Sequence, residues 1–281
     1  MSNVKTATLT LLAMIAFAGN SLLCRLALKE TAIDAASFTT VRMLSAALVL
    51  GLLIGFKTSV YRSNGNWPSA LALFAYAAGF SFAYIHLSAG TGALLLFGAV
   101  QATMIGVGIY KGERMVGWRL IGFLLAIGGL VILLLPGLSA PPLVSAISMV
   151  GAGIAWGIYS LRGKGVGNPI EATAGNFLRT LPLAACLSVV MYQHMSWDIA
   201  GLLYAVLSGG LTSGIGYAIW YQVLPALKAT TAATVQLSVP MIAAAGGILL
   251  LAEPLGWRLI VAIVAVLVGI WLVIHQKRVV A

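Results

Sequence analysis

The feature that most constrains this chain is a near-continuous series of apolar stretches from residue 7 to residue 276, with almost no charge inside them. Hydrophobic residues make up 61% of the chain and charged residues 8%, and the mean hydropathy is +1.04. These values lie outside the range of water-soluble globular proteins. A lipid-exposed backbone must bond within its own segment, so the sequence predicts an all-α integral membrane protein.

Ten stretches have the length of a membrane crossing, since a bilayer core about 30 Å thick requires about 20 helical residues. To within a few residues they are 7–28, 34–56, 67–88, 91–111, 116–135, 144–163, 171–192, 199–221, 228–251 and 255–275. They are apolar on every face and lack the alternation of a membrane β-barrel. The first stretch also resembles a signal peptide, with a small-residue site at Ala16–Ala18. We prefer a helix of the fold, because this stretch has a counterpart in the second half.

The basic residues predict the orientation of these spans. Alternating from a cytoplasmic N-terminus, eleven lysines and arginines fall on one side, and only Arg25, Lys29 and Arg258 fall on the other. Short cytoplasmic loops are enriched in Lys and Arg. We therefore expect a multi-pass protein of the cytoplasmic (inner) membrane with both termini in the cytoplasm.

The remaining composition excludes several other classes of protein. The net charge of +10 comes from residues at span ends, beside lipid headgroups, and no basic aromatic segment indicates nucleic-acid binding. Cys24 and Cys186 fall in separate spans and give neither a disulfide framework nor metal-ligand spacing. We expect no metal, no cofactor and no nucleic-acid partner; the partners are the bilayer and a small-molecule substrate.

The two halves of the chain correspond to each other. After a shift of 137 positions Arg42 aligns with Arg179, and Gly117–Ile121 recurs in the same letters as Gly256–Ile260 after a small change of register. Each half holds five spans, an odd number, so the second half enters the membrane from the opposite side. Inverted repeats of this kind are typical of transporters that open alternately to each side of the membrane.

We therefore expect ten transmembrane helices arranged as two inverted-topology five-helix repeats, over residues 1–139 and 140–281. A duplication that is only ancestral, without a surviving transport site, is the alternative. The duplicated architecture is compatible with a functional monomer.

The repeat resembles the drug/metabolite transporter superfamily. The likeness rests on the five-plus-five inverted helices, the Gly112-Glu113 and Ala252-Glu253 elements before each half's last helix, and the paired arginines of each second helix. It covers residues 7–275, and both halves resemble EamA-type repeats. The resemblance implies export of amino acids and related metabolites across the cytoplasmic membrane.

Within that superfamily the chain most resembles the aromatic amino-acid exporter (YddG-like) branch, from overall likeness around residues 18–28, 90–113 and 151–162. One departure is visible in the fourth helix of each repeat, where the family often has a proline. The second half has Pro240, but the first half has Val100-Gln101 at that place. The two halves are therefore expected to flex differently.

Polar and aromatic residues near mid-span are candidates for a transport pathway, because isolated polar groups are costly in lipid. Residues four apart share a helix face, as Tyr76 and Phe80 do. An aromatic, uncharged cavity suits an amphiphilic or zwitterionic solute that stacks on the rings or makes cation–π contacts. For each residue, ordinary helix packing is the alternative. The candidate substrate-binding residues are Asn20, Tyr76, Phe80, Tyr84, Gln101, Trp156, Tyr159, Tyr217 and Gln236.

Four other residues are candidates for gating or structural roles. Arg42 and Arg179 occupy equivalent repeat positions about eight residues into their spans. They could bind an anion, but we favour carbonyl capping or snorkelling, because their symmetry places one toward each membrane face. Pro182 and Pro240 interrupt helices and could supply bends for gating.

The acidic residues bear on the energy source. All six lie near span ends or in loops, whereas ion-coupled carriers commonly keep a carboxylate within the membrane. We expect transport without proton or sodium coupling, with His86 as the remaining candidate for proton coupling. Glu253 is expected to pair with its neighbour Arg258.

The sequence thus predicts an exporter of aromatic or other neutral amino acids and related metabolites, working by alternating access through a central aromatic-lined cavity. Efflux of small organic cations or drugs is the alternative. An integral-membrane enzyme is a further alternative that needs a catalytic cluster, and His194 and Asp198 stand alone in a loop. We therefore expect no enzyme and no catalytic residues.

Overall fold

The computed structural model describes residues 3–56, 64–110, 112, 117–135, 140–163, 166–223, 226–227, 235–236 and 238–275. In these segments the chain forms ten long helices and no strand, and a short 3₁₀ turn at Tyr192–His194 precedes the eighth helix. The helices are α1 (Asn3–Glu30), α2 (Ala35–Leu53), α3 (Trp67–Tyr84), α4 (Ala89–Tyr110), α5 (Trp118–Leu134), α6 (Leu143–Arg162), α7 (Pro169–Val190), α8 (Ile199–Val223), α9 (Ser238–Leu251) and α10 (Trp257–His275).

The helices confirm the all-α membrane architecture. Six of them, α1, α2, α4, α6, α7 and α8, are long and apolar enough to cross a bilayer by length and composition. The helices α5, α9 and α10 contain shorter apolar stretches. The remaining helix, α3, carries the predicted aromatic series.

Helix packing follows the correspondence between the two halves. The helices α2 and α7, α4 and α9, and α5 and α10 pack against each other across the halves. The pairing of α3 with α6 is matched by the pairing of α8 with α1, and the pairing of α4 with α6 is matched by α9 with α1. Exchanging the halves therefore maps these pairs onto one another, as a pseudo-twofold relation requires. The repeat boundary at 139/140 stays a prediction.

Polar side chains fix where several helices begin. Asp34 accepts from the amides of Ala36 and Ser37 and caps α2. Asn66 and Asn168 cap α3 and α7, each just before a proline in the first turn, where the missing N–H is not needed.

The helix termini lie at two ends of the bundle. We call the Glu253 end the one at which α1, α3, α5, α7 and α9 end, and the Arg162 end the one at which α2, α4, α6 and α8 end. A contact across the Glu253 end joins Asp34 to Ser196. The Asp34 amide donates to the Ser196 carbonyl at 2.9 Å, and the Ser196 amide donates to the Asp34 carboxylate at 2.9 Å.

This contact also sets the protonation of Asp34. Burial raises the pKa of its carboxyl, but hydrogen bonds from Ser196 and Ser37 outweigh that effect and hold the pKa below its ordinary value. A lowered pKa means that the contact stabilises the folded protein above the unfolded pKa of about 3.9 and loses that effect as pH falls through the folded value.

We expect Asp34→Asn to lower the stability of the detergent-solubilised protein at pH 7 by about 1–2 kcal/mol, because a cap and a cross-loop hydrogen bond to a charged group are both weakened. The difference from the wild type should shrink below about pH 4, where Asp34 itself becomes protonated. Thermal unfolding between pH 3 and 7 measures this. Asp198→Asn, which removes the charge from a capping residue that lacks the Ser196 contact, is the matched control. A pH-independent effect of Asp34→Asn would contradict the assignment.

Candidate functional site

A connected cluster of aromatic rings occupies the middle of the bundle. Trp156 of α6 is its hub, with ring centroids 4.8 Å from Tyr76, 5.1 Å from Tyr217 and 5.4 Å from Tyr159. We call these rings and the rings that touch them the aromatic cluster. Its members are Phe17, Tyr76, Phe80, Tyr84, Trp156, Tyr159, Phe177, Tyr217 and Trp220.

The cluster extends toward both ends of the bundle. Tyr76, Phe80 and Tyr84 lie along one face of α3, with successive centroids 5.4 Å and 4.7 Å apart, and run toward the Glu253 end. From Trp156 the cluster continues to Tyr159, one turn closer to the Arg162 end. The predicted sharing of a face in α3 and in α6 is therefore seen in the structure.

Trp156 reaches this position because α6 lies very close to α4. A Cβ at Gly153 would lie 2.6 Å from the Leu96 carbonyl oxygen, so only glycine permits this approach. The next turn, at Gly157, packs against Thr103 in the same way. These small residues place the α6 backbone against α4, with Trp156 in the cluster between α3 and α8.

A polar network centred on Asn20 adjoins the rings. Its amide nitrogen donates to the Tyr76 hydroxyl at 3.1 Å, and its carbonyl accepts from Ser208 at 2.7 Å and Thr212 at 3.3 Å. Ser208 and Thr212 belong to a π-helical stretch of α8, Leu207–Ile215, and π turns frequently occur at functional sites.

The cluster and the network enclose a small cavity of about 20 Å³. That is room for about one water molecule, which needs roughly 10–15 Å³ of such space, and too little for an organic solute. The structure therefore represents a contracted state, and the cavity must widen to admit an organic solute. The lining residues are Phe17, Asn20, Ser21, Tyr76, Phe80, Leu96, Phe97, Trp156, Thr212 and Tyr217.

Arg42 of α2 lies against the rings that line this cavity. Its side chain is 0% exposed, and its guanidinium carbon lies 5.2 Å from the Tyr76 ring centroid and 4.9 Å from that of Phe80. Its Nη2 donates to the Tyr76 hydroxyl at 3.0 Å. Carbonyl capping or snorkelling, the interpretation favoured from the sequence, does not describe this residue, because its depth brings it to the aromatic faces instead.

The repeat partner, Arg179, is placed differently. Its Nη1 donates to the carbonyls of Asn64 and Gly175, both at 2.8 Å, so it does cap backbone groups near the Arg162 end. Pro182 lies inside α7 without ending it, and Pro240 is buried in the first turn of α9. Gating by these residues stays a prediction.

Two predicted pathway residues lie elsewhere. Gln101 is buried in a separate small cavity between α4, α5 and α10, beside Phe123 and Ile270. Gln236 is half-buried ahead of α9 and does not line the central cavity. Gln101 does lie near the middle of α4, as its position in the sequence predicted. Its position along the helix does not determine which side of the helix faces the central cavity.

Several residues of the site were not among the sequence-predicted binding residues, and they include Phe17, Phe97, Phe177, Trp220, Ser21 and Ser208. Helical spacing held a usable signal for two of them. Phe17 is three residues before Asn20, and Ser208 is four residues before Thr212, so each shares a face with a polar mid-span residue.

The Glu253 end is closed by a buried ion pair. Arg25 Nε donates to Glu253 Oε1 at 3.0 Å, and the two side chains are 13% and 7% exposed. The other carboxylate oxygen of Glu253 accepts from the Ala89 amide at 2.8 Å, while Arg25 also donates to the Tyr84 carbonyl at 2.9 Å. The pair thus joins α1, α3, α4 and the α9–α10 loop. The sequence-based prediction that Glu253 pairs with Arg258 is wrong, because Glu253 pairs with Arg25 instead.

The Arg162 end has a cavity of its own, of about 60 Å³. Tyr159 and Tyr221 line it on the side of the aromatic cluster, and Arg162 and Asn66 line it farther out. Arg162 donates to the Asn66 side chain at 3.2 Å and to Ser69 at 3.1 Å. Tyr159 therefore belongs both to the aromatic cluster and to the lining of this cavity.

In the part of the chain that the structure describes, no group of three or more His, Cys, Asp or Glu side chains is placed to bind a metal ion.

Comparison with known protein families identifies a family domain in the second half of the chain. Residues 143–275 match the EamA-like transporter family. The chain contains an EamA-like transporter domain. That domain runs from the start of α6 to the end of α10 and includes Trp156, Tyr159 and Tyr217.

Two relatives and one solved structure cover more of the chain than this domain does. An uncharacterized protein of Pseudomonas aeruginosa is 56% identical over 278 residues, 99% of this chain and 97% of the relative. An uncharacterized transporter of Archaeoglobus fulgidus is 27% identical over 69% of this chain and 70% of its own length. A protein crystal structure shares the fold with a TM-score of 0.66, at 17% identity, covering 97% of this chain and 98% of the other. The chain is a multi-pass membrane protein with a transporter fold.

We expect Glu253→Gln to loosen the Glu253 end of this EamA-like protein, because it leaves Arg25 in a buried site without its counter-charge, at a cost of about 3 kcal/mol. Cys24, buried beside Arg25, is a built-in reporter. In a Cys186→Ser background, maleimide should label Cys24 roughly tenfold faster or more in Glu253→Gln than in the parent. Glu30→Gln, which removes the exposed Lys29–Glu30 pair, is the control. Equal labelling of all three proteins would contradict this role.

Proposed function

We propose that this EamA-like protein exports aromatic or other neutral amino acids and related small metabolites from the cytoplasm. The observation that carries the proposal is the aromatic cavity at the centre of the bundle, with Trp156 as its hub and the Asn20 network as its polar edge. Aromatic walls with few polar groups bind solutes that have an apolar body and a polar head. Family likeness supports transport, and the choice of solute rests on this chemistry.

Alternating access is the mechanism we propose. The Glu253 end is closed by the buried Arg25–Glu253 pair and by Tyr84, which is 0% exposed. The Arg162 end holds a cavity of about 60 Å³ that Tyr159 separates from the central rings. A solute would enter past Tyr159, widen the central cavity, and leave after the ion pair opens. The correspondence between the halves supports this, because inverted repeats can exchange their conformations.

The charge distribution gives the proposed direction. The Arg162 end is the one that most basic residues would place in the cytoplasm, so the cavity bounded by Tyr159 would face the cytoplasm. The inner membrane and the aromatic amino-acid exporter branch are part of the proposal.

The proposed energy source is the gradient of the solute itself. Among the described residues, the buried carboxylate is Glu253, which lies in the α9–α10 loop at one end of the bundle and is neutralised by Arg25. Proton- and sodium-coupled carriers commonly hold a carboxylate at mid-membrane. Export of organic cations is the weaker alternative, because the guanidinium of Arg42 touches two of the cavity rings and would repel a cation.

Counterflow in proteoliposomes tests the proposal. Vesicles loaded with unlabelled tryptophan, phenylalanine, threonine or a small quaternary ammonium ion are assayed for entry of the same labelled solute. We expect amino-acid counterflow that falls about tenfold or more in Trp156→Ala, because the central stacking surface is lost. Trp118→Ala, at an exposed tryptophan near a helix end, is the matched control and should retain activity. Counterflow of the quaternary ammonium ion alone would replace amino-acid export with drug efflux.

We expect the initial counterflow rate to be unchanged when proton and sodium gradients are imposed or collapsed, because no described mid-membrane carboxylate is available to couple them. His86→Gln should likewise leave the rate and its pH profile unchanged. Flux that appears only under a proton gradient, and disappears in His86→Gln, would show that transport is proton-coupled through His86.

A further inference from the structure

We propose that Arg42, Asn20 and the place now held by the Tyr76 hydroxyl form a carboxylate subsite, so that the transported solute carries a carboxylate next to its aromatic or apolar part. This inference rests on the proposed transport function and names the chemical group that the central cavity recognises. Nothing in the family match or in the names of the relatives assigns it.

The first argument is the charge of Arg42. A buried cation needs a counter-charge or a full set of acceptors, because its desolvation costs several kcal/mol. In the described part of the chain the ion pairs join Arg25 to Glu253 and Lys29 to Glu30, and neither includes Arg42. Within the same part, neither Nε nor Nη1 of Arg42 has a hydrogen-bond partner. The contacts with Tyr76 and Phe80 offset only part of this cost.

The second argument is the geometry at the Tyr76 hydroxyl. This one oxygen accepts from Arg42 Nη2 at 3.0 Å and from the Asn20 amide at 3.1 Å. Two donors from different helices, α1 and α2, therefore converge on a single oxygen at the edge of the cavity. A carboxylate oxygen is a stronger acceptor than a phenol oxygen, and a guanidinium and an amide are suitable donors for it. The hydroxyl occupies the place of a ligand oxygen in the contracted state.

The third argument is that Asn20 is held in the donating orientation. Its carbonyl oxygen accepts from the hydroxyls of Ser208 and Thr212, which leaves its NH₂ group facing Tyr76. The single Thr212 hydroxyl proton is shared between Asn20 at 3.3 Å and the nearer Ser208 carbonyl at 2.7 Å, so Ser208 is the main donor to Asn20 and the π-helical stretch of α8 holds both hydroxyls beside it. The donors are preorganised, which reduces the ordering cost of binding an anion.

The fourth argument places the rest of the solute. Tyr76 also stacks on Trp156, with centroids 4.8 Å apart. A solute whose carboxylate replaces the Tyr76 hydroxyl would therefore have its apolar group at Trp156. Amino acids and arylalkanoic acids have this spacing between the two groups, whereas aryl amines lack the carboxylate.

A purely structural role explains Arg42 less well. Arg179, its repeat equivalent, donates to two backbone carbonyls and so has the contacts of a structural anchor. Arg42 instead has two nitrogens without a hydrogen-bond partner in the described part of the chain, and its guanidinium lies against two rings that line the cavity. The two equivalent arginines therefore serve different purposes in this conformation, and the difference provides a matched control.

The test compares three probes with the same indole ring on the purified full-length protein: tryptophan, indole-3-propionate, which has only the carboxylate, and tryptamine, which has only the amine. Equilibrium binding of each is measured at constant ionic strength. In the wild type we expect the two carboxylates to bind about tenfold tighter than tryptamine, or more, as expected for hydrogen bonds to a charged group.

Arg42→Gln should weaken indole-3-propionate binding about 10- to 100-fold and change tryptamine binding less than about threefold. Arg179→Gln, the matched control, should leave the preference for the carboxylate probes unchanged. Equal weakening of both probes by Arg42→Gln, or no weakening, would overturn the proposal. If Arg42→Gln does not fold, the wild-type series still decides, because tryptamine binding as tightly as indole-3-propionate would refute a carboxylate subsite.

Further measurements distinguish the carboxylate subsite from an inorganic-anion site and from the proposed amino-acid export. Stabilisation by chloride equal to that by indole-3-propionate would assign Arg42 to an inorganic anion and overturn the solute assignment. Absent amino-acid counterflow together with Arg42-dependent binding of indole-3-propionate would reject amino-acid export while supporting the subsite. Normal amino-acid counterflow without any preference for carboxylate probes would support amino-acid export and reject the carboxylate subsite.

Discussion

The cost of leaving a polar group unpaired within a lipid-embedded bundle organises this structure. The buried polar side chains gather where partners from other helices can reach them. Asn20 is held by two hydroxyls of α8, and Glu253 is held by an arginine of α1 and an amide of α4. Each contact ties distant parts of the chain together, so the few polar residues fix the arrangement of an otherwise apolar fold. Arg42 satisfies this requirement only in part, because its Nε and Nη1 have no hydrogen-bond partner in the described part of the chain.

The helices could be predicted closely from the sequence, because a membrane crossing demands a long apolar run and short loops set its limits. The face shared by Tyr76, Phe80 and Tyr84 could be predicted too, because it depends only on helical spacing. Gln101 was assigned to the wrong surroundings, because depth in a span does not determine how a helix is rotated toward its neighbours. The Arg25–Glu253 pair joins residues 228 positions apart, and local sequence favoured the adjacent Arg258 instead.

The two repeat arginines also show that sequence position alone does not determine the surroundings of a side chain. Equivalent positions in the sequence suggested equivalent roles, yet Arg179 caps carbonyls and Arg42 lies on aromatic rings. In an alternating bundle the two halves adopt different conformations at any moment. Sequence symmetry therefore describes the average of the two halves, and a single conformation reveals how each half departs from it.

The π-helical stretch of α8 separates Ile199–Val206 from Gly216–Val223. A π-helical turn holds one residue more than an α-helical turn. Converting this stretch to α-helix would move the following residues about 1.5 Å along the axis and turn them about 100° around it. Such a screw motion would carry Tyr217 away from Trp156 and release Thr212 from Asn20. One change in backbone hydrogen bonding would thus both widen the cavity and break the hydrogen bond between Thr212 and Asn20.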